Sequence, residues 1–205
     1  MTGEPPANQR HTRYMSEYAT LTETDVPPTF DQFTDLQSLA DEVDADYRET
    51  PNDHEGEDHC EADYAGRAIA GIVDEQGRLL LMVHEPSGTR LMPNVKVEPD
   101  EDWLSSALAE VEHLTGIAVQ FTGTERLRRV DHRVEGSEEV LESTTHVVFR
   151  AVPVAGPADR PDPQLNHEAI ENDGIDPDDF TVDWFQEVPG DESGMVEADA
   201  RLLLD

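Results

Sequence analysis

A chain of 205 residues is long enough to bury a core, and its formal net charge of −33, from 47 acidic against 14 basic side chains, together with the lack of any RNA- or DNA-binding motif, argues against a nucleic-acid partner. Its single cysteine, Cys60, excludes an intrachain disulfide framework, and no segment has the apolar length that spans a membrane. The acidity is spread along the whole chain while apolar runs persist through it, which points to a folded, halophilic protein: at 1 M ionic strength the screening length is about 3 Å, so carboxylate repulsion is largely quenched.

In chain order, residues 1–29 are polar, contain several prolines and are expected to be loose. They lack the apolar core of a secretory signal, so a cytoplasmic protein is expected. From Asp31, which can act as an N-cap, Phe33, Leu36, Ala40, Val43 and Tyr47 recur at steps of three or four and predict a helix. Residues 49–63, ETPNDHEGEDHCEAD, carry no apolar period and read as an acidic linker. Residues 1–63 are therefore expected to be an acidic arm with one helix, partly disordered, and residues 64–205 the compact domain.

Within that domain, residues 67–73 (RAIAGIV) and 78–84 (RLLLMVH) are apolar runs separated by DEQG, a hairpin signal with Gly77 free to take positive φ. A short strand over residues 89–92 leads to a helix that Asp102 can cap and Gly116 can stop. Strand-like runs follow near residues 118–121, 125–134 and 139–154, the last two joined by EGSE. A Pro- and Asp-rich loop, a strand near residues 181–188 and a closing helix over residues 197–204 complete the pattern. Strands on both sides of a central helix, mostly antiparallel, predict an α/β sandwich.

The stretch PNVKVEPDEDWLSSALAEVEHLTGI, residues 93–117, carries the chemistry. It delivers carboxylates through a loop onto an amphipathic helix that a glycine ends. It resembles the Nudix box, G-x5-E-x7-R-E-U-x-E-E-x-G-U with U apolar, the loop–helix signature of enzymes that cut nucleoside diphosphates linked to another group. The pattern falls on Val95, Glu101, Ala109, Glu110, Val111, His113, Leu114, Gly116 and Ile117, and five of the nine match: Glu101, Glu110, Val111, Gly116 and Ile117. WFQEVP, residues 184–189, is also similar to the family's last strand and turn. The resemblance covers residues 64–205. It implies a Nudix-like α/β/α sandwich with a mixed, largely antiparallel sheet, and a small nucleotide-like ligand as partner. It also implies hydrolysis of that ligand with Mg²⁺ or Mn²⁺, on a motif that has lost two of its glutamates, at His113 and Leu114. The alternative is an inactive Nudix-like domain that binds a nucleotide or a protein; a homodimer is open in either case.

Pyrophosphate cleavage needs divalent cations held by oxygen ligands, and neighbouring positions on one helix face supply them. At about 100° per residue, Trp103, Ala107, Val111 and Leu114 form one buried stripe. Glu110 sits at its edge, His113 further round on the same side, and Glu112 about 160° from Glu110, too far to refill the site. Glu110 is thus either a surviving catalytic carboxylate and metal ligand or an edge residue paired to an arginine. His113 is either a rebuilt metal ligand or a solvent-facing imidazole. Glu101 is the second catalytic candidate. Asn94 stands at one of the family's paired glycines, with its backbone carbonyl a candidate metal ligand, and Lys96, the only lysine, is a candidate phosphate contact.

Arg126, Arg128, Arg129 and Arg133 crowd one predicted strand, with Arg126 and Arg128 on one face. They read either as substrate-binding guanidiniums, Arg126 and Arg128 above all, or as partners for the many acids. His54, Asp58, His59 and Cys60 fit no zinc spacing. His167, Glu168 and Glu171 lie where the family often places a base or an extra ligand, and Trp103 and Trp184 are expected in the core.

Overall fold

The computed structural model describes residues 36–56, 64–155, 162–170, 176–188 and 194–204. Its elements are α1 (Leu36–Glu42), β1 (Asp46–His54), β2 (Gly66–Ile72), β3 (Leu79–His84), β4 (Thr89–Leu91), β5 (Asn94–Val97), α2 (Trp103–Thr115), β6 (Val119–Val134), β7 (Glu142–Pro153), β8 (Phe180–Phe185) and α3 (Met195–Leu204). Two sheets form. One has five strands in the order β1-β6-β7-β2-β5; the other has three, β4-β3-β8. The larger is mixed, parallel at β1–β6 and β7–β2 and antiparallel at β6–β7 and β2–β5. The smaller is antiparallel throughout.

Strand β2 shows why the result is a sandwich. Successive side chains of a strand face opposite sides. Ala68 clusters with Trp103 and Ala107 of α2, and Ala70 and Ile72 with Val111. On the opposite face Ile69 packs with Ala200 and Leu203 of α3. A methyl at Gly71 would meet Leu203 Cδ1 at 2.2 Å, so the absent side chain lets α3 close on the sheet. Helices thus cover both faces of one mixed sheet, the α/β/α arrangement expected from the resemblance. Among the described residues no helix is long and apolar enough to cross a membrane.

Three expectations change. The residues 67–84 hairpin does not form as such. The DEQG turn is present, with Asp74 accepting from the Gln76 and Arg78 amides at 2.9 Å and Gly77 at φ 70°. A single Val73–Leu79 bridge follows, and then the strands part. Both hydrogen-bonding edges of β2 are taken by β5 and β7, so β3 joins the other sheet. The runs over 118–121 and 125–134 are one strand, β6, whose irregularities at Phe121/Gly123 and Thr124/Arg126 absorb the apparent break.

The third change is at the N-terminal side, where the helix read through Tyr47 ends at Glu42 and Tyr47 stands in β1. The acidic linker expected from residue 49 is, through His54, the edge strand β1, paired parallel to β6. Polar contacts join the two strands: Asp46 to Arg126 at 2.7 Å, Asp53 to Arg133 at 2.5 Å, and His54 to His132 at 2.9 Å. Pro51 is tolerated because an edge strand has an unpaired side. Ala40 of α1 is fully buried in the same cluster as Trp103 and Leu127, so α1 and β1 belong to the layered unit. The helix start proposed at Asp31, and Asp58, His59, Cys60 and Glu171, lie outside the described residues.

Candidate functional site

Helix α2 has the local chemistry read from the sequence. Asp102 Oδ1 accepts from the Ser105 amide at 2.7 Å, satisfying an orphan N–H of the first turn. Gly116 takes φ 68° and donates its N–H to the Glu112 carbonyl. Trp103, Ala107, Val111 and Leu114 are buried as one stripe, Glu110 is half-buried at its border, and His113 is exposed. Trp184 is half-buried against the Leu80–Val111 cluster, with Arg78 over its ring.

Position 114 is closed. Leu114 clusters with Met82 of β3 and Phe180 of β8, and Leu165, Ala169 and Ile170 pack onto that cluster. The segment carrying Leu165 is pinned to the end of α2: the Asn166 amide donates to the Leu114 carbonyl at 2.8 Å, and Asn166 Nδ2 to the His113 carbonyl at 3.3 Å. His167, on the same segment, binds Asp178 at 2.9 Å.

The loop acids and amide are also engaged. The Glu101 carboxylate accepts from the Glu98 amide at 3.0 Å, and the Glu101 amide donates to the Glu98 carbonyl at 3.1 Å, closing a turn before the helix. Asn94 Oδ1 accepts from Arg67 Nη1 at 2.6 Å, and its Nδ2 donates to the Met92 carbonyl at 3.0 Å. Ala70 donates to the Pro93 carbonyl, so ladder alternation turns the backbone carbonyl of Asn94 away from β2, towards the open edge of β5.

These residues do not fit the Mg²⁺ or Mn²⁺ that the resemblance implies. A hard cation needs several oxygen ligands converging on one point. Here one carboxylate, Glu110, stands on that face of the helix, since Glu112 points about 160° away, and Glu110 already interacts with neighbouring groups. Glu101 serves a turn, Leu114 is core, and the Arg67 guanidinium sits at Asn94, where it repels a metal ion. Among the described residues no group of three His, Cys, Asp or Glu side chains is placed to hold one.

The arginines divide by face. Arg126 and Arg128 are buried and both bind Asp199 of α3, Arg126 through Nη1 at 2.5 Å and Arg128 through Nη1 at 3.0 Å and a second, shorter bond from Nη2. Arg126 also reaches Asp46. Both guanidiniums thus pair with acids of the fold, the second of the two readings the sequence left open. Arg129 and Arg133 pair with Asp131 at 2.7 Å and Asp53 at 2.5 Å.

Sequence reasoning missed a row of bases that only strand register assembles. Arg48 of β1 lies beside Arg128 of β6, Arg128 beside His146 of β7, His146 beside Arg67 of β2, and Arg67 beside Lys96 of β5. Every strand of the larger sheet contributes one, all on the face that α3 covers in part. Asp46 and Asp199 neutralise Arg48 and Arg128. Among the described residues, Arg67 has only Asn94 and the Tyr64 ring, 5.8 Å from Cζ, and Lys96 only that ring, 5.0 Å from Nζ. Burial, then the charges of Arg128, Arg67 and His132, push the His146 imidazole down to about 3, so it is neutral at pH 7. His132, stacked on His54 and bonded to Thr144 Oγ1 at 2.9 Å, is also lowered, by burial first and then by His54.

No protein-family model and no curated protein matches the chain. Among solved structures it is similar to a MutT protein from Bacillus halodurans (18% identity over 58% of this chain and 66% of that one, TM-score 0.42). It is also similar to a Nudix-family hydrolase from Clostridium perfringens (13% identity, 69% and 97%, TM-score 0.42). A third is a MutT protein from Methanosarcina mazei (27% identity, 54% and 75%, TM-score 0.38). Overlap at this level says nothing about what the chain binds or cuts.

Proposed function

We propose that this chain is a Nudix-like domain that binds a small nucleotide-like ligand without the metal-dependent cleavage of that family. The observation that carries the reading is the closure at Leu114. Where the resembling motif has a glutamate, this helix has a core side chain packed under Leu165, Ala169 and Ile170. A metal-ligating carboxylate has no room there, and a buried carboxylate without a cation or donors would cost several kcal/mol. Glu101 holds a turn and His113 is exposed, so neither stands in for the lost ligand. What remains suited to a phosphorylated ligand is positive charge at Lys96 and Arg67.

A second reading keeps hydrolysis, with Glu110 as catalytic carboxylate assisted by Glu101 or His113. It is favoured by the half-buried position of Glu110 at the border of the helix's core stripe. One experiment separates the two. The full chain, purified in molar KCl with Mg²⁺ or Mn²⁺, is screened for phosphate release from dinucleotides, nucleotide sugars and nucleoside triphosphates, and for saturable binding of the same compounds. Binding without turnover is expected. Turnover that Glu110→Gln abolishes would overturn the proposal in favour of the hydrolase.

A further inference from the structure

The row of bases is costly as it stands. Like charges directly opposite on neighbouring strands destabilise a sheet. This chain has 47 acidic residues with which to neutralise its 14 bases, and it does so over the β1–β6 half of the row. Arg48 binds Asp46 at 3.0 Å, and Arg128 is buried against Asp199. Over the β2–β5 half it does not do so with any of the described residues. Arg67 and Lys96 are direct cross-strand partners, and no carboxylate of the described residues meets either one. Arg67 is nonetheless fixed, by the 2.6 Å bond to Asn94 and by Tyr64 below it, so its fork is held in place rather than waving in solvent.

From Arg128 outward to β5, exposure rises along the row. Arg128 is buried, Arg67 and His146 are partly buried, and Lys96 is exposed at the sheet edge. The half that meets no carboxylate of the described residues is thus exposed at the β5 edge, with His146 next inward in the register. We infer that Arg67, Lys96 and His146 form a binding site for a small phosphorylated anion of diphosphate size. The guanidinium supplies a planar pair of donors matched to phosphoryl oxygens, the ammonium of the neighbouring strand a point charge, and the partly buried imidazole a further N–H donor. Arg126 and Arg128 are engaged by Asp46 and Asp199 and are not part of the site. Lys96 was a candidate from sequence; Arg67 and His146 enter only through the strand register.

The site deepens the ligand-binding reading but does not depend on the missing turnover, because it uses neither Glu110 nor a metal ion. The test uses the full chain in molar KCl without divalent metal, titrated with inorganic pyrophosphate and, separately, with ADP, by calorimetry and thermal shift. Saturable binding is expected, and Arg67→Gln and Lys96→Gln should each weaken it by about tenfold or more. Arg129→Gln, which removes an equal charge from the other face of β6, should leave it unchanged. Tighter binding of ADP than of pyrophosphate would assign the anion to a nucleotide; equal binding would assign it to free diphosphate. No saturable binding of either, or an equal loss in Arg129→Gln, overturns the site. Lys96 is exposed, so Lys96→Gln keeps the test sound if Arg67→Gln fails to fold. Unchanged binding in a folded Lys96→Gln also overturns it.

Discussion

The lowered imidazole of His146 makes a quantitative claim about stability. Its pKa falls from 6.5 to about 3, through burial and the charges of Arg128 on β6, Arg67 on β2 and His132 on β6. Because the folded value lies below the unfolded one, the unfolded chain takes up the proton first. The contribution of this residue is whole above about pH 7.5 and is lost as pH falls from the unfolded value towards the folded one. At pH 5 the unfolded chain has passed its midpoint by about 1.5 units while the folded imidazole is still neutral. At about 1.36 kcal/mol per unit that is a loss of about 2 kcal/mol relative to pH 8. The 47 acidic residues also titrate as pH falls, so the readout is a difference: urea unfolding of the wild type and of His146→Asn at fixed molar KCl, from pH 8 to pH 5. The wild type should lose about 2 kcal/mol more than the variant across that range. Parallel stability curves for the two proteins would refute the reasoning, because they would mean that the ring sits in water or is already charged in the fold.

Two more predictions concern the frame around the row. Asp199→Asn leaves Arg126 and Arg128 buried with their shared counter-charge removed, and should destabilise the chain by about 3–5 kcal/mol in chemical denaturation; a loss under about 1 kcal/mol would mean that the pair is hydrated. A methyl at Gly66 would stand 1.7 Å from the Thr145 carbonyl oxygen and 2.7 Å from Trp103 Cη2, so Gly66→Ala must push β2 off β7 or α2 off the sheet; a drop of about 1–3 kcal/mol is expected from the same unfolding curves, and an unchanged midpoint would refute the close approach.

What the sequence made legible was whatever local chemistry decides. Asp102 caps α2 because a carboxylate at that position reaches an amide three residues on, and Gly116 ends it because left-handed φ suits a residue without Cβ. The period of Trp103, Ala107, Val111 and Leu114 gave the buried face, and placed Leu114 in the core before its neighbours were known. Strand β1 was illegible for the opposite reason. Its residues are polar on both faces, it contains Pro51, and what holds it are pairings with Arg126 and Arg133, each 80 positions away. No window along the chain contains that signal. The same is true of Arg67 and His146. Arg67 is the one base of β2 and His146 shares β7 with Arg150, and only the register of four strand pairs puts Arg67 and His146 in line with the other bases.

The solvent to which the composition points sharpens the meaning of that line. In molar salt the field of a distant charge decays within about 3 Å, so neither the −33 of the whole chain nor a general basic patch acts at long range. What survives is contact: a guanidinium fork against a carboxylate, as in Arg128 on Asp199, or a cation over a ring, as in Lys96 on Tyr64. In such salt a base acts through the atoms it touches. Arg128 touches Asp199 and thereby ties α3 to the sheet. Arg67 touches Asn94 through Nη1 and meets no carboxylate among the described residues. Its geometry, and not the charge it adds, is therefore what the β2–β5 edge preserves, and the same argument separates it from Arg129 and Arg133, whose donors end on Asp131 and Asp53.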